Sequence, residues 1–301
     1  LPDAHELEAY RKAGRIIAEL RGEVPGWVRE GMAIIEVCRK VEDEIRKRGG
    51  NPAFPCNVGI NEVAAHYTSP WKDQRTIPTG SLVKVDFGVE VDGYIGDTAV
   101  SVSFNPQHAS LILAAQEALK AALGAVRAGG RISDVGVAVQ RTIERYGHRP
   151  ISNLTGHKIE RFTIHAGKSV PNVAGTEAGK FLNDEVYAIE PFVTYREAAG
   201  QVHDGEDAYI HRFMKEKGAQ SELAKKIIRH IRDKFRTLPF ASRWIGDAFS
   251  GYGWGEAFVE LRKARCVTSY PVLVEMSGKV VAQAEHTIRV TESGCEILTE
   301  A

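Results

Sequence analysis

Apolar residues along the chain recur at helical spacing, and the pattern occurs twice. Val37, Val41 and Ile45 stand four positions apart, a spacing that stacks side chains on one face of a helix. The segment around them returns 98 residues later: Val28 matches Val126, Arg29 Arg127, Gly31 Gly129, Ile34 Ile132, Val37 Val135, Val41 Val139, Ile45 Ile143, Gly49 Gly147 and Pro52 Pro150. The glycines are natural helix stops after the last apolar turn. A further helical stretch precedes each copy, over residues 5–20 and 108–127, the second with Leu111, Ala115, Ala118, Ala122 and Ala125 in register. Strand-like sequence follows each copy, and residues 82–86 resemble residues 186–190 at an offset of 104. The chain therefore reads as helix, helix, strands, twice over. This predicts one α+β domain of two pseudo-symmetric halves around a shared sheet, with Asp86 and Glu190 at equivalent strand ends.

Asp92-Gly93 lies between runs of alternating β-formers, a strong hairpin signal because both residues tolerate positive φ. With those two as the loop, Val91 faces Tyr94, Gly88 faces Asp97 and Asp86 faces Ala99. Asp86 and Asp97 then share a face as diagonal neighbours, about 7–8 Å apart at the backbone, and can converge on one cation. Gly88 leaves room opposite Asp97. Asp suits strand interiors poorly, and two like charges this close need a counter-charge.

Further along, His157 and His165 are eight positions apart in a glycine-bounded stretch and share a face if that stretch is extended throughout. Glu190 closes an apolar run before Pro191, and residues 280–290 read as one strand carrying Glu285. The set Asp86, Asp97, His157, Glu190 and Glu285 offers four carboxylates and one imidazole, which suits two divalent first-row ions sharing bridging carboxylates. Between the last two, Leu223, Ile227, Ile231 and Phe235 mark another helix, with Ser221 as its N-cap.

Composition narrows the class. The 301 residues carry 39 basic and 39 acidic side chains, a balance that argues against holding nucleic acid or an anionic membrane by bulk electrostatics. The share of hydrophobic residues, 43%, and of charged ones, 26%, is that of a globular protein and excludes whole-chain disorder, collagen or coiled coil. Cys38, Cys56, Cys266 and Cys295 show no CxxC spacing and read as reduced thiols of a cytoplasmic protein. No apolar run approaches the ~20 residues of a membrane span. The first five residues lack the features of a signal peptide, and the missing Met predicts an encoded start upstream.

The segments Ala53-Phe54-Pro55, Ala64-Ala65-His66-Tyr67-Thr68, Lys84-Val85-Asp86-Phe87-Gly88, Asp97-Thr98-Ala99, Gly156-His157, Ile164-His165-Ala166-Gly167-Lys168, Ala188-Ile189-Glu190 and Gln283-x-Glu285-His286-Thr287 together resemble type 2 methionine aminopeptidases of the archaeal kind. The resemblance covers essentially the whole chain. It implies the pita-bread fold over 1–301, with halves of about 1–105 and 106–200 and closing strands over about 270–301. Glu190 and Glu285 stand 95 positions apart, a spacing that matches the helical insertion of the type 2 enzymes, here about 205–268. Two divalent ions (Co, Mn, Fe or Zn) are implied: Asp86 chelates one, Asp97 and Glu285 bridge, and His157 and Glu190 complete the second site. A hydroxide bridging the ions would attack the scissile carbonyl. Glu190 would accept the proton, His165 would bond the substrate or intermediate, and His66 would stand at the substrate's amino end and scissile amide.

The implied methionine pocket comprises Phe54, Ile164, Phe192 and Tyr270 with His66 and His165; His203 and His211 are both open for the pocket histidine of the insertion. The implied activity is excision of N-terminal methionine from nascent chains and peptides whose second residue is small. Implied too are a monomer, no sequence-specific nucleic acid and no membrane. Lys225, Lys226, Arg229, Arg232, Lys234 and Arg236 flank the insertion helix, as a solvated face or a transient ribosome contact. Departures from the family pattern are Ser69 before Pro70, Cys56-Asn57-Val58-Gly59, and residues 195–205. A prolidase-like dipeptidase of the same fold and a non-catalytic binding protein are the alternatives; the short stretch before Asn51 and retention of every ligand disfavour them.

Overall fold

The computed structural model describes residues 4–176, 179–251 and 253–300. Seven helices appear among them: α1 (Ala4–Trp27), α2 (Ile34–Lys47), α3 (Ala109–Ala125), α4 (Ser133–Arg145), α5 (Glu222–Phe235), α6 (Ser242–Ala248) and α7 (Trp254–Lys263). The expected end of α1 at residue 20 is too early. The stripe Ile16, Ile17 and Leu20 continues in Val24, which is fully buried, and packing carries the helix across Pro25. In α2 the predicted face, Val37, Val41 and Ile45, is buried, as is Val135, Val139 and Ile143 in α4; each such side chain contributes roughly 1.5–3 kcal/mol of burial. Gly49 and Gly147 stop these helices with φ of 80° and 79°, values that favour glycine.

Ten of the strands carry or flank the predicted site residues: β1 (Asn57–Ile60), β2 (Leu82–Val91), β3 (Tyr94–Ser103), β4 (Thr155–Ile159), β5 (Val186–Ile189), β6 (Phe192–Tyr195), β7 (Ile210–Phe213), β8 (Val267–Tyr270), β9 (Val281–Gln283) and β10 (His286–Val290). The β2–β3 hairpin has the expected register, Asp86 opposite Ala99 and Gly88 opposite Asp97. Asp92 and Gly93 turn it with φ of 53° and 87°. The other edge of β2 pairs with Asn51–Pro52 and with β1. A five-stranded sheet runs Cys295–Ile297, β10, β5, β4, Ser169–Pro171.

Three expectations about strands need correction. Asp86 lies mid-strand in β2, whereas Glu190 follows the end of β5, so the two are not at equivalent strand ends. Residues 280–290 form two strands, β9 and β10, with Ala284 and Glu285 at the break. β9 pairs with β6 and β10 with β5; serving two sheets forces the bend. The stretch from His157 to His165 is not extended throughout, because Glu160 and Thr163 bridge to close a turn.

One core packs α1 and α2 against the hairpin; a second packs α3 and α4 against Tyr187, Ile189 and Ile288. Residues of α5, α7, β7 and β8 gather around a further core that includes Phe240 and Phe258. Ser221 caps α5 by accepting from the Ala224 N–H at 3.1 Å. Among the described residues no helix is long and apolar enough to cross a membrane.

Candidate metal centre

Each acidic residue of the predicted set is delivered by a different piece of backbone. Asp86 and Asp97 come from the two strands of the hairpin, Glu190 from the bend after β5, and Glu285 from the break between β9 and β10. His157 is in β4, opposite Ala188. The Thr287 hydroxyl locks the hairpin to β10: it accepts from the Asp97 N–H at 2.7 Å and donates to the Asp97 carbonyl at 2.8 Å. The Thr98 hydroxyl donates to the Glu285 carbonyl at 3.0 Å, and Arg21 donates to the same oxygen at 2.6 Å.

The five side chains line one pocket of about 510 Å³ of empty space, part of it open to solvent. Ligand atoms of Asp97, His157 and Glu285 all lie within 4.8 Å of one another. His157 Nε2 is 3.6 Å from Asp97 Oδ2 and 3.5 Å from Glu190 Oε1. Gln283 Nε2 donates to Glu190 Oε2 at 3.4 Å and to Glu285 Oε2 at 3.3 Å. Asp97, Glu285 and His157 are only 3%, 1% and 7% exposed.

Electrostatics make this cluster costly without cations. Burial pushes Asp86 up to about 7. Burial, then the charge of neighbouring carboxylates, raises Asp97, Glu190 and Glu285 well above the ordinary range. Burial, then the neighbouring His165, pulls His157 well down, leaving it a neutral imidazole. Oδ1 of Asp86 and Oδ1 of Asp97 are buried without a hydrogen-bond partner. Converging carboxylates, a neutral imidazole and orphaned oxygens are what hard-to-borderline dications require, so the residues present fit a metal.

The rest of the predicted set surrounds this cluster. Phe54, His66, Ile164, His165 and Tyr270 line the same pocket. Phe192 does not; it lines an adjoining cavity with His66, His165 and Glu190. The His157 and His165 rings lie 4.4 Å apart, edge to face, and His66 meets Tyr270 at 5.6 Å. The turn at residues 160–163 brings the first pair together, not strand alternation. His66 sits at φ 62°, a left-handed backbone. His165 opens to the cavity yet is ringed by protein: burial, then the charges of His66 and Arg212, pushes it down to about 4. The space over Gly88 is filled by Phe54, whose ring a Cβ at Gly88 would meet at 2.3 Å.

Neither histidine left open for the insertion joins the pocket lining. His203 is exposed, and His211 is buried between Phe240 and Phe258, with Nδ1 2.9 Å from Ser269 Oγ. Ile210, beside it in β7, faces the pocket instead, as do Asn57 and Pro239. Sequence reasoning missed Ile210 and Pro239, placed Asn57 only in a segment at the pocket rim that departs from the family pattern, and missed Gln283 as a support of Glu190 and Glu285. Two positions from Glu285, Gln283 could have been found by strand alternation. Asn57 lies opposite Asp86 in the sheet, a pairing no local pattern announces.

Fold and site together define a metal-dependent hydrolase built on two pseudo-equivalent halves. A family model described as metallopeptidase family M24 matches residues 8–292, and the chain belongs to that family. A methionine aminopeptidase of Methanothermobacter thermautotrophicus is 42% identical over 297 residues, covering 98% of this chain and 99% of the relative. Among solved structures, a thermophilic Arx1 superposes with a TM-score of 0.83 at 18% identity, covering 100% of this chain and 92% of that one. A methionine aminopeptidase of Thermotoga maritima gives 0.71 at 24%, covering 100% and 98%; these two likenesses concern the fold.

Proposed function

We infer that this chain is a metallo-aminopeptidase that removes the N-terminal methionine from peptides. What supports the reading is the juxtaposition of a buried carboxylate–imidazole cluster with an apolar pocket lined by Phe54, Ile164 and Tyr270, on a chain that matches methionine aminopeptidases end to end. An unbranched thioether suits such a pocket, since aromatic rings contact sulfur well.

In the proposed mechanism, Asp86, Asp97, His157, Glu190 and Glu285 would hold two divalent ions, drawn from Co, Mn, Fe or Zn. When bound, such ions lower the pKa of water towards neutrality and polarise a carbonyl. The pocket seats the methionine side chain, which fixes the free amine beside the carboxylates and explains why only the first residue is cut. Glu190 takes the proton of the attacking water and returns it to the amine of the departing chain. His165 donates a hydrogen bond to the carbonyl oxygen as negative charge develops there, and His66 stands at the scissile amide. A small second residue is required where the chain leaves the pocket.

Residues 205–268 are proposed as an insertion in an otherwise duplicated domain, since their helices share a core of their own. A cytoplasmic monomer acting on nascent chains fits this reading. The basic face of α5 is a solvated surface in part, because Lys225 pairs with Glu222, and Arg232 with Glu216 and Asp233; Lys226 and Arg229 are the cations a transient ribosome contact would use.

The deciding measurement is release of methionine from Met-Ala-Ser with and without a chelator, paired with metal analysis of anaerobically purified protein. Turnover that survives complete metal removal would count against the mechanism. Preference for X-Pro dipeptides would replace the substrate assignment.

A further inference from the structure

β7 and β8 form an antiparallel pair in which Ile210 faces Tyr270 and Arg212 faces Thr268. Directly opposed residues share a face, and so do residues two apart on one strand. Ile210 and Tyr270 line the pocket, so Arg212 and Thr268 form the next rung on that same face. The alternate face turns into the insertion core, as the burial of His211 against Phe240 and Phe258 shows. Burial decreases in the direction of Arg212: Ile210 is 4% exposed, Arg212 is partly exposed, and Met214 is 51% exposed. Arg212 therefore stands at the mouth of the pocket, one rung outside it.

Its guanidinium lacks a counter-ion. Among the described residues no carboxylate pairs with Arg212, its Nε is buried without a hydrogen-bond partner, and its guanidinium donates to the Met214 sulfur at 3.8 Å. A separate groove along β8, lined by Thr268 with Arg262, Lys263 and Arg265, carries three further cations, none of which forms a salt bridge among the described residues. The chain's net charge of zero makes this unpaired cluster a local feature.

We propose that Arg212 is a subsite for the peptide downstream of the scissile bond, and that it selects substrates with acidic side chains at the third and fourth residues. This rests on the aminopeptidase reading. One rung along a strand is about 7 Å, which is also about two residues of an extended peptide. A methionine seated inside Ile210 and Tyr270 thus brings the third or fourth residue level with Arg212. The second residue passes between the rungs and gains nothing from the charge.

The test compares three peptides, Met-Ala-Asp-Asp, Met-Ala-Ser-Ser and Met-Ala-Lys-Lys, each amidated at the C-terminus, on the metal-loaded enzyme. Wild type is expected to favour the acidic over the basic peptide roughly two- to fivefold in kcat/KM, the span of an exposed ion pair. The preference is expected to sit in KM and to vanish in 0.5 M salt, where screening is complete beyond a few ångströms. Comparing acidic with basic peptide within each enzyme cancels any general loss caused by a substitution. On that ratio, Arg212→Gln is expected to remove most of the preference, Arg212→Lys to keep part of it, and Arg212→Glu to reverse it. Equal kcat/KM for the charged peptides in wild type would overturn the subsite, as would a preference that survives Arg212→Glu. No release of methionine from the neutral peptide would instead overturn the aminopeptidase reading, and the subsite with it.

Discussion

At the scale of single residues, the site depends on what is missing as much as on what is present. Gly88 faces Asp97, and the absent side chain is what lets Phe54 lie against the hairpin. Gly88→Ala is expected to push Phe54 out of place at a cost of about 1–3 kcal/mol. The change should appear mainly as a rise in KM for methionyl peptides, with metal content unchanged; an unaltered KM would show that Phe54 does not shape the pocket. Asp97 is the opposite case, a buried carboxylate with an oxygen in want of a partner. As a proposed metal ligand, Asp97→Ala is expected to abolish turnover and to lose metal by calorimetry; two tightly bound ions in that variant would remove it from the ligand set. Both residues were legible in the sequence, because the Asp-Gly turn fixes the hairpin register and the register fixes who faces whom. The ring over Gly88 was not, since nothing local to residues 82–104 says that residue 54 arrives there.

At the scale of elements, the contacts that hold the pocket wall come from far along the chain. Glu42 in α2 and Arg243 in α6 form an ion pair with almost no exposure. The Glu42 carboxylate also accepts from Trp244 Nε1 at 2.8 Å and from the Cys56 N–H at 3.1 Å, while Arg243 donates to Thr68 Oγ1 at 2.7 Å. Cys56 and Thr68 flank the pocket residues Asn57 and His66. Removing one partner of a buried pair strands the other charge, so Arg243→Met is expected to lose about 3–5 kcal/mol in denaturant unfolding; a loss under 1 kcal/mol would mean the pair is dispensable.

The insertion core supplies a pH effect. Burial, then the charge of Arg262, pushes His211 down to about 3, against roughly 6.5 for an unfolded histidine. Between those values the unfolded chain takes up a proton that the folded one refuses, so this contribution to stability is lost as pH falls through that window. Wild type is expected to lose about 2 kcal/mol more than His211→Asn between pH 7 and pH 5, and identical losses would contradict it. The helix carrying this core was plain from Leu223, Ile227, Ile231 and Phe235. The fate of His211 was not, because alternation in a four-residue strand gives no sign of which face meets the pocket.

For the molecule as a whole, the duplication legible in residues 28–52 and 126–150 accounts for both helical layers, but it does not account for the site. The proposed ligands belong to pieces of chain whose closest sequence correspondence, residues 82–86 with residues 186–190, puts Asp86 in mid-strand and Glu190 beyond a strand end. Two copies of one pattern thus serve different geometries, and the closing strands β9 and β10, bent at Glu285 between two sheets, help bring the second half onto the hairpin. Lys84 makes the same junction from within β2: fully buried, it donates to the Val281 carbonyl at 2.7 Å and the Asn61 carbonyl at 3.0 Å. The join between the halves therefore runs through a buried amine and through carboxylates that repel one another. A dication bound among Asp86, Asp97, His157, Glu190 and Glu285 would relieve that repulsion where hairpin, β4, the bend after β5 and the closing strands meet, so its effect belongs to the whole fold. Binding to the folded state alone adds about 2.7 kcal/mol at a hundredfold excess over Kd. Thermal unfolding after chelation is expected to show a Tm lower by several degrees, restored by adding back Mn²⁺ or Co²⁺, with one cooperative transition in both states. A Tm indifferent to metal would mean that the two halves are held by their apolar cores alone, and that the cluster is tolerated at their junction without contributing to it.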